Sequence, residues 1–346
     1  MRTLQLTLTA LLLCFVTTFA VASDRYRLAW SHYTGWEPWG YADHSGILKK
    51  WADKEGIEIQ VTLVNDYIES INLYTAGQFD ACVMTNMDAL TIPAVGGVDS
   101  TALIVGDFSN GNDGIVMKNG SAVSDLKGRD IHLVELSVSH YMLARALDKH
   151  GLSERDVRVV NTSDSDIAAL FTTLPNAAVV TWNPPLQQVR NVPGANLVFD
   201  SAQIPGEIID LLVVRSDSSE RFKRALVGAW YEVMQIMAGR DAAAAEAIAF
   251  MAEQTGATVA EFTAQLRTTA MFYDPAEAVA FAEGEALRQT MQQVRTFSFD
   301  KGLFGGTASS PDFVGIAFPD GSVLGNKNNI KLRFDADFMR AAIAHP

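Results

Sequence analysis

From Asp24 to about Asp200 the chain alternates short apolar runs with helical periods, and this alternation constrains the fold more than any other feature. Strands separated by helices cannot pair as hairpins, so they assemble into open, mostly parallel sheets with helices on their faces. The runs predict strands at 26–29, 57–63, 81–84, 102–105, 114–117, 131–134, 158–160, 178–181, 197–199 and 211–214. Helices are expected at 45–54, 67–76, 87–95, 140–150, 166–172 and 185–191. Beyond Ser218 the pattern changes to Ala- and Met-rich helical segments at 220–238, 242–254, 259–268 and 275–294.

Two turn-rich stretches interrupt the alternation. Ser109-Asn110-Gly111-Asn112-Asp113-Gly114 and Ala202-Gln203-Ile204-Pro205-Gly206 read as two crossings between lobes. They divide the chain into a discontinuous lobe one (23–110 plus 207–346) and an inserted lobe two (111–206). Two crossings beside one cleft are the expected hinge of a closing protein.

Met1-Arg2-Thr3, the apolar run from Leu4 to Val21 and the small residues Ala20-Val21-Ala22 predict a secretory leader over residues 1–22. Export to the periplasm follows. Cys14 would leave with that leader, so Cys82 is the one cysteine beyond it and no internal disulfide is expected. The formal charge of −13 argues against nucleic acid and anionic membranes as partners and favours a cationic or neutral small ligand.

In open α/β sheets ligands bind beyond the carboxyl ends of the strands, so the residues there are the candidate site. The first strand is followed by a Trp-rich loop, from which Trp30, Tyr33, Trp36 and Trp39 are candidates, with a helix starting near Ala42. Rings gathered at a strand end either cap a core or line a pocket. Later strands deliver Asp88, then Glu135 and His140, then Trp182 and Asn183, and the return crossing delivers Asp210. Asp88 also reads as a helix cap and His140 as a structural residue. Glu135 directly follows an apolar strand, where a buried carboxylate costs several kcal/mol unless a cation or several donors meet it. Asp210 sits in Ile208-Ile209-Asp210-Leu211-Leu212-Val213-Val214 and has the same problem. Two such carboxylates among tryptophans suggest a site for a small cation.

Ser124-Asp125-Leu126-Lys127-Gly128-Arg129-Asp130-Ile131, with Ser137-Val138-Ser139-His140-Tyr141-Met142-Leu143 and Leu147-Asp148-Lys149-His150-Gly151-Leu152, resembles the nitrate/sulfonate/taurine family of periplasmic binding proteins of ABC importers. Gly77-Gln78-Phe79-Asp80-Ala81 and Val180-Thr181-Trp182-Asn183-Pro184-Pro185 fit it as well, so the resemblance spans Tyr26 to Val214. It implies an α/β, two-lobed (type II) periplasmic binding protein, monomeric, without cofactor, working with an ABC permease in the inner membrane. Glu135 and Asp210 depart from the anion-binding members, because an anion there would meet like charge. Within the family the Trp-rich first loop is most similar to the branch encoded beside urea carboxylases. That likeness implies guanidinium as ligand, then urea or another small amine or amide, then an aliphatic sulfonate or nitrate.

Two other classes compete. A ligand sensor for a receptor would use the same closing cleft. An enzyme resembling the pyrimidine-synthesis proteins would need a cysteine-rich motif, and Cys82 alone does not supply one. No HExxH, P-loop, Gly-x-Ser-x-Gly or paired-cysteine spacing occurs, so neither a metal site nor a catalytic centre is expected.

Overall fold

The computed structural model describes residues 24–344. The leader expected at 1–22 lies outside them. The chain opens with β1 (Asp24–Trp30), α1 (Glu37–His44), α2 (Ile47–Glu55) and β2 (Ile57–Leu63). Next come α3 (Tyr67–Thr75), β3 (Ala81–Thr85), the short α4 (Asn86–Ala89) and β4 (Ser100–Ser109). The middle third contributes β5 (Asp113–Lys118), β6 (Asp130–Leu133), α5 (Val138–Lys149), β7 (Arg158–Asn161) and α6 (Ile167–Thr173). It ends with β8 (Ala178–Trp182), α7 (Pro185–Arg190) and β9 (Ala195–Asp200), and β10 (Ile209–Arg215) follows. The last third holds α8 (Glu220–Ala238), α9 (Ala242–Gln254), α10 (Val259–Leu266), β11 (Thr269–Met271), α11 (Pro275–Ala282) and α12 (Glu285–Asp300). Three short strands, β12 (Gly315–Ala317), β13 (Val323–Gly325) and β14 (Ile330–Phe334), precede α13 (Asp337–Ala344).

The strands form two sheets. One has the order β13-β12-β14-β4-β10-β3-β1-β2 with β11 added on β4; the other runs β7-β6-β8-β5-β9. Both are mixed. The strands that follow a crossing, β5 and β10, run antiparallel to their neighbours, whereas β1, β2 and β3 are parallel, as are β6, β7 and β8. A chain that enters or leaves a sheet through a hinge arrives from the opposite end and has no helix to turn it around.

The chain passes between sheets at Ser109–Asp113 and again between β9 and β10. The two crossings are tied together. Ser201 Oγ accepts from the Gly111 backbone N–H at 2.7 Å and bonds Ser109 Oγ at 2.7 Å. The Ser109 N–H donates to Ile208 O at 2.9 Å. Gly111 has φ 107°, a conformation that a Cβ would strain.

Two sequence expectations are corrected here. The Trp-rich stretch is not a loop up to Ala42; Trp36 caps a helix that starts at Glu37, with Pro38 in its first turn, where a missing N–H costs nothing. Dense aromatic residues hid that short helix, because its apolar residues fall on more than one face. The strands β11 to β14 went unseen in a segment expected to be helical or irregular. Each is only three to five residues long, below what a period-two pattern resolves.

The first sheet and its helices share one core cluster, while the second sheet carries a separate cluster on each face. Val134, Tyr141 and Trp182 are attached to the second sheet's elements, yet they pack with the first cluster. The two units are therefore closed on one another.

Candidate ligand site between the two sheets

Two small adjoining cavities share Trp36 and Asp210, one at the closed interface and one inside the first unit. The upper one is walled by the rings of Tyr33, Trp36, Tyr67 and Trp182, with Asp113 and Asp210 on its side. The lower one lies beneath Trp36 among Trp39, Trp230, Asp107 and Asp210. Each measures about 10 Å³, roughly the room of one water-sized group, so the closed site leaves space on the scale of the smallest solutes only. A larger groove of about 1330 Å³ between α2, α8 and α13 shares no residue with this cage.

The rings contact one another. Tyr33 and Trp36 lie 4.9 Å apart, Trp36 and Tyr67 5.4 Å, and Trp182 meets Tyr67 edge-on at 5.5 Å. Trp182 comes from the end of β8, and its Nε1–H donates to His32 O at 3.3 Å, linking the two units. Gly35 is what lets the first loop approach β4. A Cβ there would overlap Asp107 Oδ2 and stand 2.6 Å from Tyr33 Cε1. Gly35→Ala is therefore expected to lose about 1–3 kcal/mol of stability from overpacking and to weaken ligand binding. Denaturant unfolding and titration of the same sample measure both.

The electrostatics of the cage are one-sided. Asp107 on β4 and Asp210 on β10 stand opposite each other in register, and Tyr33 Oη–H donates to Asp107 Oδ1 at 3.0 Å. Asp113 opens β5. Burial raises Asp107 and Asp113 each to about 7 and holds Asp210 well above the ordinary carboxylate range, with the neighbouring aspartates pushing it higher. Asp88 accepts from Tyr67 Oη–H at 2.7 Å and Thr85 Oγ–H at 2.9 Å, and burial still lifts it to about 6. Among the described residues no Lys, Arg or His lines either cavity. Several buried polar atoms here have no hydrogen-bond partner among the described residues: Asp88 Oδ1, Asn183 Oδ1 and Trp36 Nε1. Nor, among those residues, are three His, Cys, Asp or Glu side chains grouped to hold a metal ion.

The sequence candidates divide clearly. Tyr33, Trp36, Trp182 and Asp210 line the cage, and Trp39 lines the lower cavity, stacked on Trp230 at 5.1 Å. Asp88 sits behind Tyr67 and doubles as a residue of the α4 start. Asn183 is buried at the end of β8, its N–H donating to Asn112. Trp30 is buried elsewhere, its ring covering Gly40 of α1.

Glu135 contradicts its expectation. It is exposed in the turn after β6, where its backbone N–H donates to Asn161, so no buried carboxylate needs a cation there. The strand ends at Leu133, one residue earlier than expected, and the chain turns outward. His140 is also outside the cage. Its Nδ1 accepts the Leu136 N–H, leaving Nε2–H to donate to Glu154; burial, with Lys301 nearby, lowers it to about 4, so it is neutral. Sequence reasoning missed Asp107, Asp113 and Tyr67. The signal for Asp107 was present in Leu103-Ile104-Val105-Gly106-Asp107, an acid closing an apolar strand, but that strand was ended at Val105.

The NMT1/THI5-like family profile matches residues 47–219, half of the chain, and the chain belongs to that family. Its fold is that of the two-lobed periplasmic binding proteins. The alkanesulfonate-binding protein SsuA from Xanthomonas axonopodis pv. citri, solved with MOPS bound, superposes with a TM-score of 0.66 at 16% identity, covering 83% of this chain and 96% of that one. The aliphatic sulphonate binding protein SsuA from Escherichia coli gives 0.64 at 18% identity over 82% and 95%. The nitrate-binding protein NrtA from Synechocystis PCC 6803 gives 0.58 at 12% identity over 93% and 98%. No curated protein sequence matches the chain. No helix among the described residues is long and apolar enough to cross a membrane.

Proposed function

We propose that this chain is the periplasmic solute-binding component of an ABC importer and that it captures a small cation, with guanidinium the best candidate. One observation carries the ligand reading: an aromatic cage bounded by Asp107, Asp113 and Asp210, with no basic side chain lining it among the described residues. Buried carboxylates without a counter-charge are costly, and a cation between ring faces compensates both the charge and the unmet acceptors. Guanidinium is flat and donates in its own plane, which suits rings above and below and carboxylates at the edge. The named ligands of the sulfonate- and nitrate-binding structures are anions, and an anion in this cage would face like charge.

Urea is the second reading, favoured by Trp36 Nε1–H, a buried donor without a partner that would suit a carbonyl oxygen. The resemblance of the first loop to the urea-carboxylase-associated branch supports the same pair of ligands. In this account residues 23–110 with 207–346 form one lobe and 111–206 the other, hinged at the Ser201-tied crossings, and a leader over 1–22 exports the chain. Binding rather than catalysis is the proposed activity, with an ABC permease as the partner.

A thermal-shift screen of the chain from residue 23 onward tests the ligand. Guanidinium, urea, nitrate, taurine and simple amines are compared at low millimolar concentration, far below denaturing levels. A ligand at about a hundred times its Kd adds about 2.7 kcal/mol, a shift of a few degrees. Guanidinium is expected to give the largest shift. Stabilisation by taurine or nitrate alone would overturn the cation reading and leave the fold untouched.

A further inference from the structure

Asp107 and Asp210 face each other across neighbouring strands of the first sheet, so their spacing is fixed whether or not the second sheet swings away. The ionisable groups acting on the pair are Tyr33 from the first loop, Asp113 from β5 and Tyr273 from the segment after β11. All of these are acids, and no Lys, Arg or His among the described residues opposes them there. Two buried carboxyls in such contact cannot both ionise, so the pair holds one proton between them. The two carboxyls hydrogen-bond one another, and the Trp36 ring, whose Nε1–H is unpaired, lines the same cavity as both. The pair faces that cavity, so a charge brought into it acts on the shared proton.

We propose that the site exchanges a proton for its cation: guanidinium entering the cage drives the shared proton off the Asp107–Asp210 pair into solvent. This rests on the reading of the ligand as a cation. Before binding the pair carries one proton and one negative charge; afterwards two carboxylates surround one positive charge and one proton has left, so charge balances. Affinity then rises with pH by up to about tenfold per unit while the pair is protonated, and levels off above its titration. Neutral urea, with no charge to bring, follows no such trend. Acidification releases the cation.

The raised carboxyls give the ligand-free protein a matching signature. Between the unfolded carboxylate range and about pH 7 the native state binds more protons than the unfolded chain, so its stability falls as pH rises through that window. Guanidinium removes the pair's part of the decline.

Isothermal titration of guanidinium chloride near pH 7, in buffers of different ionisation enthalpy, counts the protons directly. About one proton released per cation is expected for the native chain, and about half a proton for Asp210→Asn, where burial alone holds Asp107 at about 7. Binding with the same heat in every buffer would overturn the exchange alone. Absence of binding would overturn the cation reading and the exchange with it. Aspartate carboxyl NMR on the ligand-free chain is the independent check, with one carboxyl expected to stay protonated at pH 7. Titration of every aspartate below pH 5 would contradict the shared proton whatever binds.

Discussion

Replacing Asp107 and Asp210 together by Asn is expected to lower guanidinium affinity by about 30- to 3000-fold and to change urea binding by less than about tenfold. Removing the charge partners of a desolvated cation costs about 2–5 kcal/mol, and every 1.4 kcal/mol is a factor of ten. Either single substitution should cost much less, about tenfold. When one carboxyl becomes an amide, the other still faces the ligand and can give up the proton that burial keeps on it. The two changes are therefore non-additive, as expected for side chains in direct contact. The double variant should also lose part of the decline in ligand-free stability with rising pH, because buried carboxyls that held protons are gone. Glu135→Gln serves as the control. An exposed turn residue outside the cage should shift guanidinium affinity by no more than about threefold. Titration calorimetry on the four variants measures these ratios, and equal losses for guanidinium and urea would remove charge pairing from the account.

The second large effect belongs to Trp182. This side chain leaves the second sheet's last parallel strand, meets Tyr67 of the first unit edge-on and donates to His32 O. Its exposure is 4%, yet its contacts are made across the interface rather than inside its own unit's clusters. Truncating a buried aromatic residue costs about 3–5 kcal/mol in a fixed core. Here much of that loss should fall on closure, since the contacts disappear when the units part. Trp182→Ala is thus expected to weaken every ligand by about a hundredfold, mainly through faster dissociation. Ligand-free unfolding should move by less than about 1 kcal/mol. Stopped-flow dissociation alongside denaturant unfolding separates the two. A large drop in ligand-free stability with unchanged dissociation would make Trp182 a core residue.

Much of the fold was readable because β3, β5 and β8 are buried on both faces and appear as apolar runs, while β2 alternates apolar and polar residues. β2 was delimited to the residue, and β3, β5, β7 and β8 to within one residue at each end. The site was half readable. Of the residues lining the candidate cage, Tyr33 and Trp36 follow β1 and Trp182 closes β8, the strand ends to which open sheets bring ligands, whereas Asp210 stands at the start of β10 and showed only as an acid in an apolar run. Glu135 and Asp107 show the limit of that reasoning. Both are acids following apolar runs, but one strand ends a residue early and turns its acid to solvent, while the other continues through Gly106 and buries its acid. Local pattern does not decide strand length at a hinge, because the pairing partner, β10, arrives about a hundred residues later. Tyr67 was invisible for a different reason: it begins an ordinary amphipathic helix, capped by Asp66, and its partners Trp36, Asp88 and Trp182 all lie far from it in sequence.

The most direct measurement is a crystal structure of the chain grown with guanidinium. A flat ligand is expected against the Trp36 ring, donating at about 3 Å to the Asp107–Asp210 pair. Guanidinium found only elsewhere, such as in the groove between α2, α8 and α13, or an anion occupying the cage, would contradict it.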